Sequence, residues 1–467
     1  MIASLKNKLS LDGIRAFYMS DVYPIIICSL VLIGNLSGLE YYFNFLNTAF
    51  MVGALFLSKS VRPFIISLCT YVYQVSLKNS PNYPNYSDFY YTGWRLPLSI
   101  AIMVLIATAI IFFFVKNRIY AKLSFKNTPL LLPLIILSVA FLLNGVFSSE
   151  WVASNLVFAL ANVAVYAFLF VLIYHGFEES EDSRELSRYF AYVSMLIAIV
   201  ISVQLINLFL TADNIFVDGA IVKTSVALGW GIWNLVAVSL AILIPVLFYG
   251  VQNNRYPWLY FAVATLAFVM SVLTMSRNAL IFSTLAYGSC VLICCFVGRY
   301  KTSFRVITVV GIVLVGVFAV AFWDKIEALL ADYFERGLSD NGRFNLWRLA
   351  FDNFLSSPIF GAGFYGFDVE TAVFGPLPKQ AHNTVLQLLS STGVVGLLSY
   401  AFYRLKSIKP FVKHPTLMKS FLGISILVLL LESMLDNFIF NIYPMFYYAT
   451  ALAIVFRAAK EEAEIMC

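Results

Sequence analysis

The chain has 467 residues, of which 61% are hydrophobic and only 12% charged, against about 25% charged in an ordinary soluble domain. So few charges cannot clothe a water-facing surface for 52.4 kDa, which excludes a soluble globular enzyme, and apolar runs of about 20 residues along the whole length exclude a disordered or fibrous chain. The net charge of +6 fits cationic cytoplasmic loops and no nucleic-acid partner, and the unbroken runs exclude a β-barrel. The class is an all-α polytopic membrane protein.

In chain order, Lys6, Lys8 and Arg15 precede an apolar run that opens near Val22. No small-residue cleavage site follows it, so it reads as a retained first span. The pattern predicts about 14 transmembrane helices, at 22–39, 41–57, 62–77, 96–115, 129–147, 151–175, 189–211, 224–250, 257–275, 278–297, 306–323, 384–404, 417–435 and 438–457. With the N-terminus inside, 22 of the 31 Lys and Arg fall on the inner side and nine on the outer. That bias is the positive-inside rule, so an N-in, C-in topology is expected. The chain then divides into N-terminal helices (1–223), core helices (224–323), a long external loop (324–383) and C-terminal helices (384–467).

Cys28, Cys69, Cys290, Cys294 and Cys295 lie in apolar runs and Cys467 ends the chain. They read as small packing residues, with no disulfide framework and no metal site. The acidic stretch Glu178, Glu179, Glu181, Asp182 and Glu185 reads as a solvated cytoplasmic linker.

One external loop of about 60 residues is too long for a connector. Its first helical pattern begins with Asp324 and Glu327 at capping-box spacing, carries Ile326, Leu329, Leu330, Tyr333 and Phe334 on one face, and stops at Gly337. Its second carries Phe344, Trp347, Phe351, Phe354 and Leu355 and ends at Pro358. Both look like interfacial helices whose apolar faces meet lipid or the bundle. A Gly-rich turn, Gly361 to Gly366, and then Ala381-His382-Asn383 lead into the next helix.

Of three histidines, His175 and His414 lie at inner ends and only His382 faces outside. An imidazole is the one side chain there that ionises near neutral pH, which makes it a candidate general base; capping or packing, with Asn383 beside it, is the competing reading. Arg277 sits in a tight turn between two helices, well placed for an anionic lipid headgroup. Arg343 and Arg348 flank Trp347, and guanidinium groups grip phosphate oxygens bidentately. Five positions apart is about 140° of helix rotation, so both cannot face one ligand unless Arg343 precedes the helix. Lys223 and Arg95 are further outer cations, each open to reading as a snorkelling surface charge. Glu432 and Asp436 stand four apart near the outer end of one span, where acids face the bundle interior and orient a base, bind sugar hydroxyls or pair with an arginine. The chain contains no Asp-x-Asp, no Walker phosphate loop and no His-Glu-x-x-His. No metal and no cofactor are expected.

Three segments resemble the O-antigen ligase and polymerase family of membrane glycosyltransferases, of GT-C type. They are Ser276-Arg277-Asn278-Ala279-Leu280, the stretch from Gly342 to Phe367, with Arg, Trp, a helix, Pro and Gly-x-Gly in order, and the stretch from Ala381 to Phe402, with His-Asn and Gly-x-x-Gly. The resemblance covers about 270–405. It implies transfer of a glycan from an undecaprenyl-diphosphate carrier to a glycan or lipid acceptor, at the external face of a bacterial cytoplasmic membrane. His382 would be the base or the acceptor-orienting group. Arg277 would bind the carrier diphosphate, helped by Arg343, with Lys223 where the family has a cation before the middle spans and Arg348 as a further contact. Asn383, Glu432 and Asp436 would support them, and membrane lipids and a chain-length regulator would be further partners. Polymerisation of lipid-linked repeats is the first expectation and ligation to lipid A-core or another acceptor the second. A lipid-linked oligosaccharide flippase is the rival of another class, although transporters carry internal repeats and midplane charges and here the charges cluster outside.

Overall fold

The structure is a computed structural model that describes residues 10–74, 93–149, 151–212, 215–217, 220–324, 327, 343–364, 370–371, 375–376 and 381–466. All fourteen predicted segments contain a helix, and among the described residues three more are present: α1 (Leu11–Met19), a single turn at Ile119–Lys122 and, in the long loop, α13 (Arg343–Ser356). The others are α2 (Val22–Ser37), α3 (Glu40–Leu57), α4 (Arg62–Gln74), α5 (Arg95–Lys116), α6 (Leu131–Phe147), α7 (Ala153–Gly176), α8 (Ser183–Thr211), α9 (Trp233–Asn253), α10 (Pro257–Leu273), α11 (Arg277–Phe296), α12 (Lys301–Ala321), α14 (Thr384–Val412), α15 (Leu417–Ser433) and α16 (Ile442–Met466). Eight described helices are long and apolar enough to cross a membrane, or nine if α1 and α2, bent by 71°, form one span. The described helices thus support a polytopic membrane protein with fewer full-length spans than the 14 expected. Described over 13 residues, α4 is about 20 Å long, short of a hydrocarbon core of about 30 Å.

Several boundaries differ from the pattern: α8 starts earlier, at Ser183, α12 at Lys301, and α16 runs on to Met466. The helix expected from 224 begins at Trp233, after a 3₁₀ turn and a small antiparallel pair, Ala227–Leu228 with Gly231–Ile232. Gly229-Trp230-Gly231 is poor helix material, and the Trp230 indole N–H is tied instead to Gln204 Oε1 at 2.9 Å. At the other end, α14 runs on to Val412 through Lys406 and Lys409, because charge marks where lipid ends and not where a helix must.

At the centre is α9, apolar on every face, 94% buried over its span window and packed against α8, α10, α11 and α15. On the periphery, α12 is only 6% buried and presents its valines outward. Cys28, Cys69, Cys290, Cys294 and Cys295 are buried free thiols in the packing.

The acidic stretch is more than a solvated linker. Glu181 is buried and accepts from Ser60 Oγ at 2.7 Å and from the Glu178 N–H at 2.8 Å. Arg62 reaches Glu185 at 2.9 Å, Asp182 caps α8 through the Glu185 N–H, and burial raises the Glu181 pKa above the usual carboxylate range. Charge patterning could not reveal this, because the partners lie about 120 positions away.

One feature of α14 positions the long loop. At Gly393 the backbone leaves the helix, with φ 63° and ψ −165°. Non-helical backbone survives among membrane helices only where protein satisfies its polar groups. Here the 358–363 turn does so: Ala362 and Gly363 N–H donate to the Ser390 and Ser391 carbonyls at 2.8 and 3.1 Å, and Val394 and Val395 N–H donate to the Pro358 and Ile359 carbonyls at 2.9 and 3.3 Å. The Asn144 amide adds bonds to the Phe360 and Ser391 carbonyls. Gly361 has φ +75°, and a Cβ there would lie 2.4 Å from the Ser391 carbonyl carbon. Gly361→Ala is therefore expected to cost about 2 kcal/mol or more, read as a lowered thermal midpoint of the purified protein; an unchanged midpoint would show that the turn can leave the break freely.

Candidate active site

Four separate stretches of chain meet at one hydrogen-bonded chain of side chains. The turn between α10 and α11 passes through Met275 at φ +57° and delivers Ser276 to the N-cap position of α11. Ser276 makes no capping bond with its side chain. Its hydroxyl donates instead to Asn234 Oδ1, at 2.8 Å, on the first turn of α9. The Asn234 amide donates to Asp436 Oδ2 at 3.0 Å, just beyond α15. Asp436 Oδ1 accepts from His382 Nδ1 at 2.8 Å and from the Asn437 N–H at 3.1 Å. His382 itself has φ +48°, an uncommon conformation for a residue with a side chain and one that recurs at functional sites.

A second shell of bonds holds this geometry. Asn383 caps α14, its Oδ1 accepting from the Val385 and Leu386 N–H at 3.0 and 3.1 Å. Gln387 Oε1 accepts from the Ala381 N–H at 2.8 Å and from Asn437 Nδ2 at 2.9 Å. Thr384 Oγ1 donates to the Ser433 carbonyl at 2.6 Å. The segments on both sides of the His382–Asp436 bond are thus pinned to each other.

The electrostatics follow. The Asp436 side chain is 9% exposed and that of His382 36%, so a buried carboxylate faces a partly open imidazole. An ionised carboxylate only accepts, so Nδ1 carries the proton and Nε2 keeps the lone pair able to take one. Glu432 is buried one turn earlier, and its Oε1 has no hydrogen-bond partner among the described residues. Of the two predicted acids, Asp436 joins the histidine and Glu432 does not.

The cations divide similarly. Arg277 opens α11 beside Ser276, at a helix N-terminus whose dipole also favours anions. Lys223 places its ammonium 5.4 Å from the Trp233 ring centroid, one residue before Asn234. Arg343 lies within α13 as its first described residue, so it and Arg348 stay about 140° apart, and neither joins the hydrogen-bonded chain among the described residues. The helix α13 packs on α14 through buried Ala350 and leaves Phe344, Phe351 and Leu355 exposed, an apolar face open to lipid. The first predicted loop helix, from Lys325 on, lies outside the described residues apart from Glu327, as do Tyr365, Gly366, Lys78, Arg336 and Lys379.

Residues 261–401 match the family model described as O-antigen ligase. Over this segment the chain is similar to the O-antigen ligase family. The matched O-antigen ligase segment starts within α10 and ends within α14, so it holds Ser276, Arg277, α13, the Gly361–Gly363 turn and His382, while Lys223, Asn234 and Asp436 lie outside it. No curated protein matches the chain. The match points to a glycosyltransferase-type ligase or polymerase reaction, which needs a lipid-linked glycan and an acceptor. Sequence reasoning missed Asn234, Gln387 and Asn437; the available signal was an amide on the first turn of the most enclosed helix.

Proposed function

We propose that the protein polymerises oligosaccharide repeats linked to a lipid diphosphate, of the undecaprenyl class, at the outer face of a bacterial cytoplasmic membrane, with both termini inside. The observation that carries this reading is the His382–Asp436–Asn234–Ser276 chain, which ties His382 to the residue before Arg277. In the reaction an acceptor hydroxyl attacks the anomeric carbon as the bond from that carbon to the diphosphate oxygen breaks. His382 Nε2 takes the hydroxyl proton. Asp436 holds the ring in the required tautomer and steadies the imidazolium that forms. Arg277, with Lys223 and the α13 cations Arg343 and Arg348 as helpers, stabilises the charge that grows on the departing diphosphate. Glu432 stands behind Asp436. No protein nucleophile takes part, so a single displacement inverts the anomeric centre; a product with retained configuration would sink this step.

Ligation to lipid A-core or another non-polymeric acceptor is the second reading, and the family's description as O-antigen ligase favours it. Incubating the purified protein with a lipid-diphosphate-linked repeat separates the two. A ladder of products supports polymerase. A single shift that requires an added acceptor supports ligase. No product with any acceptor offered would overturn both and return the flippase reading.

A further inference from the structure

Away from His382, α14 buries a second charge. Arg404 is only 8% exposed. Its guanidinium carbon lies 4.7, 5.3 and 4.5 Å from the ring centroids of Tyr400, Tyr403 and Tyr448. Aromatic faces offset part of the cost of a buried cation, but they leave its N–H donors unmet. Among the described residues Nε, Nη1 and Nη2 of Arg404 and the Tyr448 hydroxyl make no well-aligned hydrogen bond; the nearest acceptors are phenol oxygens, of Tyr166 and Tyr400 beside Arg404 and of Tyr403 beside Tyr448, and none is anionic. Tyr166, whose ring packs on those of Tyr400 and Tyr403, has its own hydroxyl donated to the Ile439 carbonyl at 3.0 Å. A buried cluster of charged and neutral donors without well-aligned acceptors is costly and calls for an acceptor from outside the chain.

Arg404 and Tyr448 both line one crevice of about 210 Å³ between α14, α15 and α16. Apart from Ser407 its other walls are apolar, with Phe411, Ile426, Leu430 and Leu452 inside, and Ile408 and Leu427 at the rim are 49% and 52% exposed. The crevice therefore opens through an apolar lip onto the bundle surface. It lies about 30 Å along the helix path from Thr384 and shares no residue with the His382 chain.

We propose that this crevice binds an anionic phospholipid, its phosphate accepting from Arg404 and Tyr448 and an acyl chain lying along the apolar wall. Charge complementarity selects an anion, and the apolar lip selects one that arrives with a hydrocarbon chain. A free phosphate would satisfy the donors and leave the wall uncovered.

The test is retention of phosphatidylglycerol by the full-length protein in mild detergent, read by native mass spectrometry. Wild type is expected to keep one such lipid through delipidation, and an excess of inorganic phosphate is expected not to displace it. Arg404→Met, which fills the same volume without charge, is expected to lower occupancy about tenfold, and Tyr448→Phe by a smaller factor. Leu427→Trp narrows the lip with Arg404 intact and is expected to lower occupancy too; this variant decides the matter should Arg404→Met fail to fold. Equal retention by wild type and both Arg404→Met and Leu427→Trp overturns the proposal. So does displacement by inorganic phosphate, which would make this a site for a free anion, or equal retention of zwitterionic phosphatidylcholine, which would leave Arg404 no part in selection.

Discussion

His382→Ala is expected to abolish elongation of a lipid-linked repeat by the purified protein, a loss of about 10²–10⁴-fold in rate, the usual contribution of a positioned general base. The substitution removes the imidazole and its bond to Asp436 Oδ1 and leaves the Asn383 cap of α14 in place. Alanine at φ +48° carries some backbone strain, so membrane insertion and thermal midpoint must be measured alongside. Loss of products with a near-normal midpoint supports a base. In cells the same variant is expected to lose polymer length. A flippase would tolerate it, because its cycle needs no proton taken from an acceptor hydroxyl, so normal polymer from His382→Ala would sink the transferase mechanism.

The second large effect is expected from Asp436→Asn. An asparagine is nearly isosteric, but its amide can donate to His382 Nδ1 and so favour the tautomer whose Nε2 is already protonated. The comparable exchange in a Ser-His-Asp triad costs about 10⁴-fold, and a loss of at least about 10²-fold is expected here. Asp436 also receives the Asn234 amide at 3.0 Å, so an asparagine there must rotate to avoid facing donor with donor, or lose that bond. If Asp436 acts only through His382, the double variant should be no slower than His382→Ala alone, because residues that work as a unit are not additive. Additive losses would mean that Asp436 supports the fold and not the base.

These expectations rest on a site only half visible in the sequence. Apolar runs make the long helices legible, because a segment surrounded by lipid or by other helices must satisfy its backbone internally and be apolar over its length. His382 was singled out by scarcity, as the one histidine on the side where few charges fall. Arg277 was singled out by the tight turn that carries it. By contrast, the start of α9 was misplaced by nine residues, since hydrophobicity does not distinguish the Ala227–Ile232 pair, anchored by Trp230, from a helical turn.

What the sequence determined by itself is local: the all-helical class, the order of the helices, the long loop, and the residue types able to move a proton or grip a diphosphate. Composition and periodicity act over one or two turns, and these features need no more than that. Only the tertiary structure decided between Glu432 and Asp436. The two carboxylates sit four positions apart, Glu432 in the last turn of α15 and Asp436 just beyond it, alike in chemistry and pattern. The one that meets His382, 54 positions away in the chain, is set by how α9, α14 and α15 pack. The same holds for Asn234 and for the break at Gly393, whose partners at Pro358 and Ile359 close a backbone bond that neither segment could make alone. A hydrogen bond depends on tenths of an ångström between groups far apart in sequence, and that distance exists only once the helices have packed.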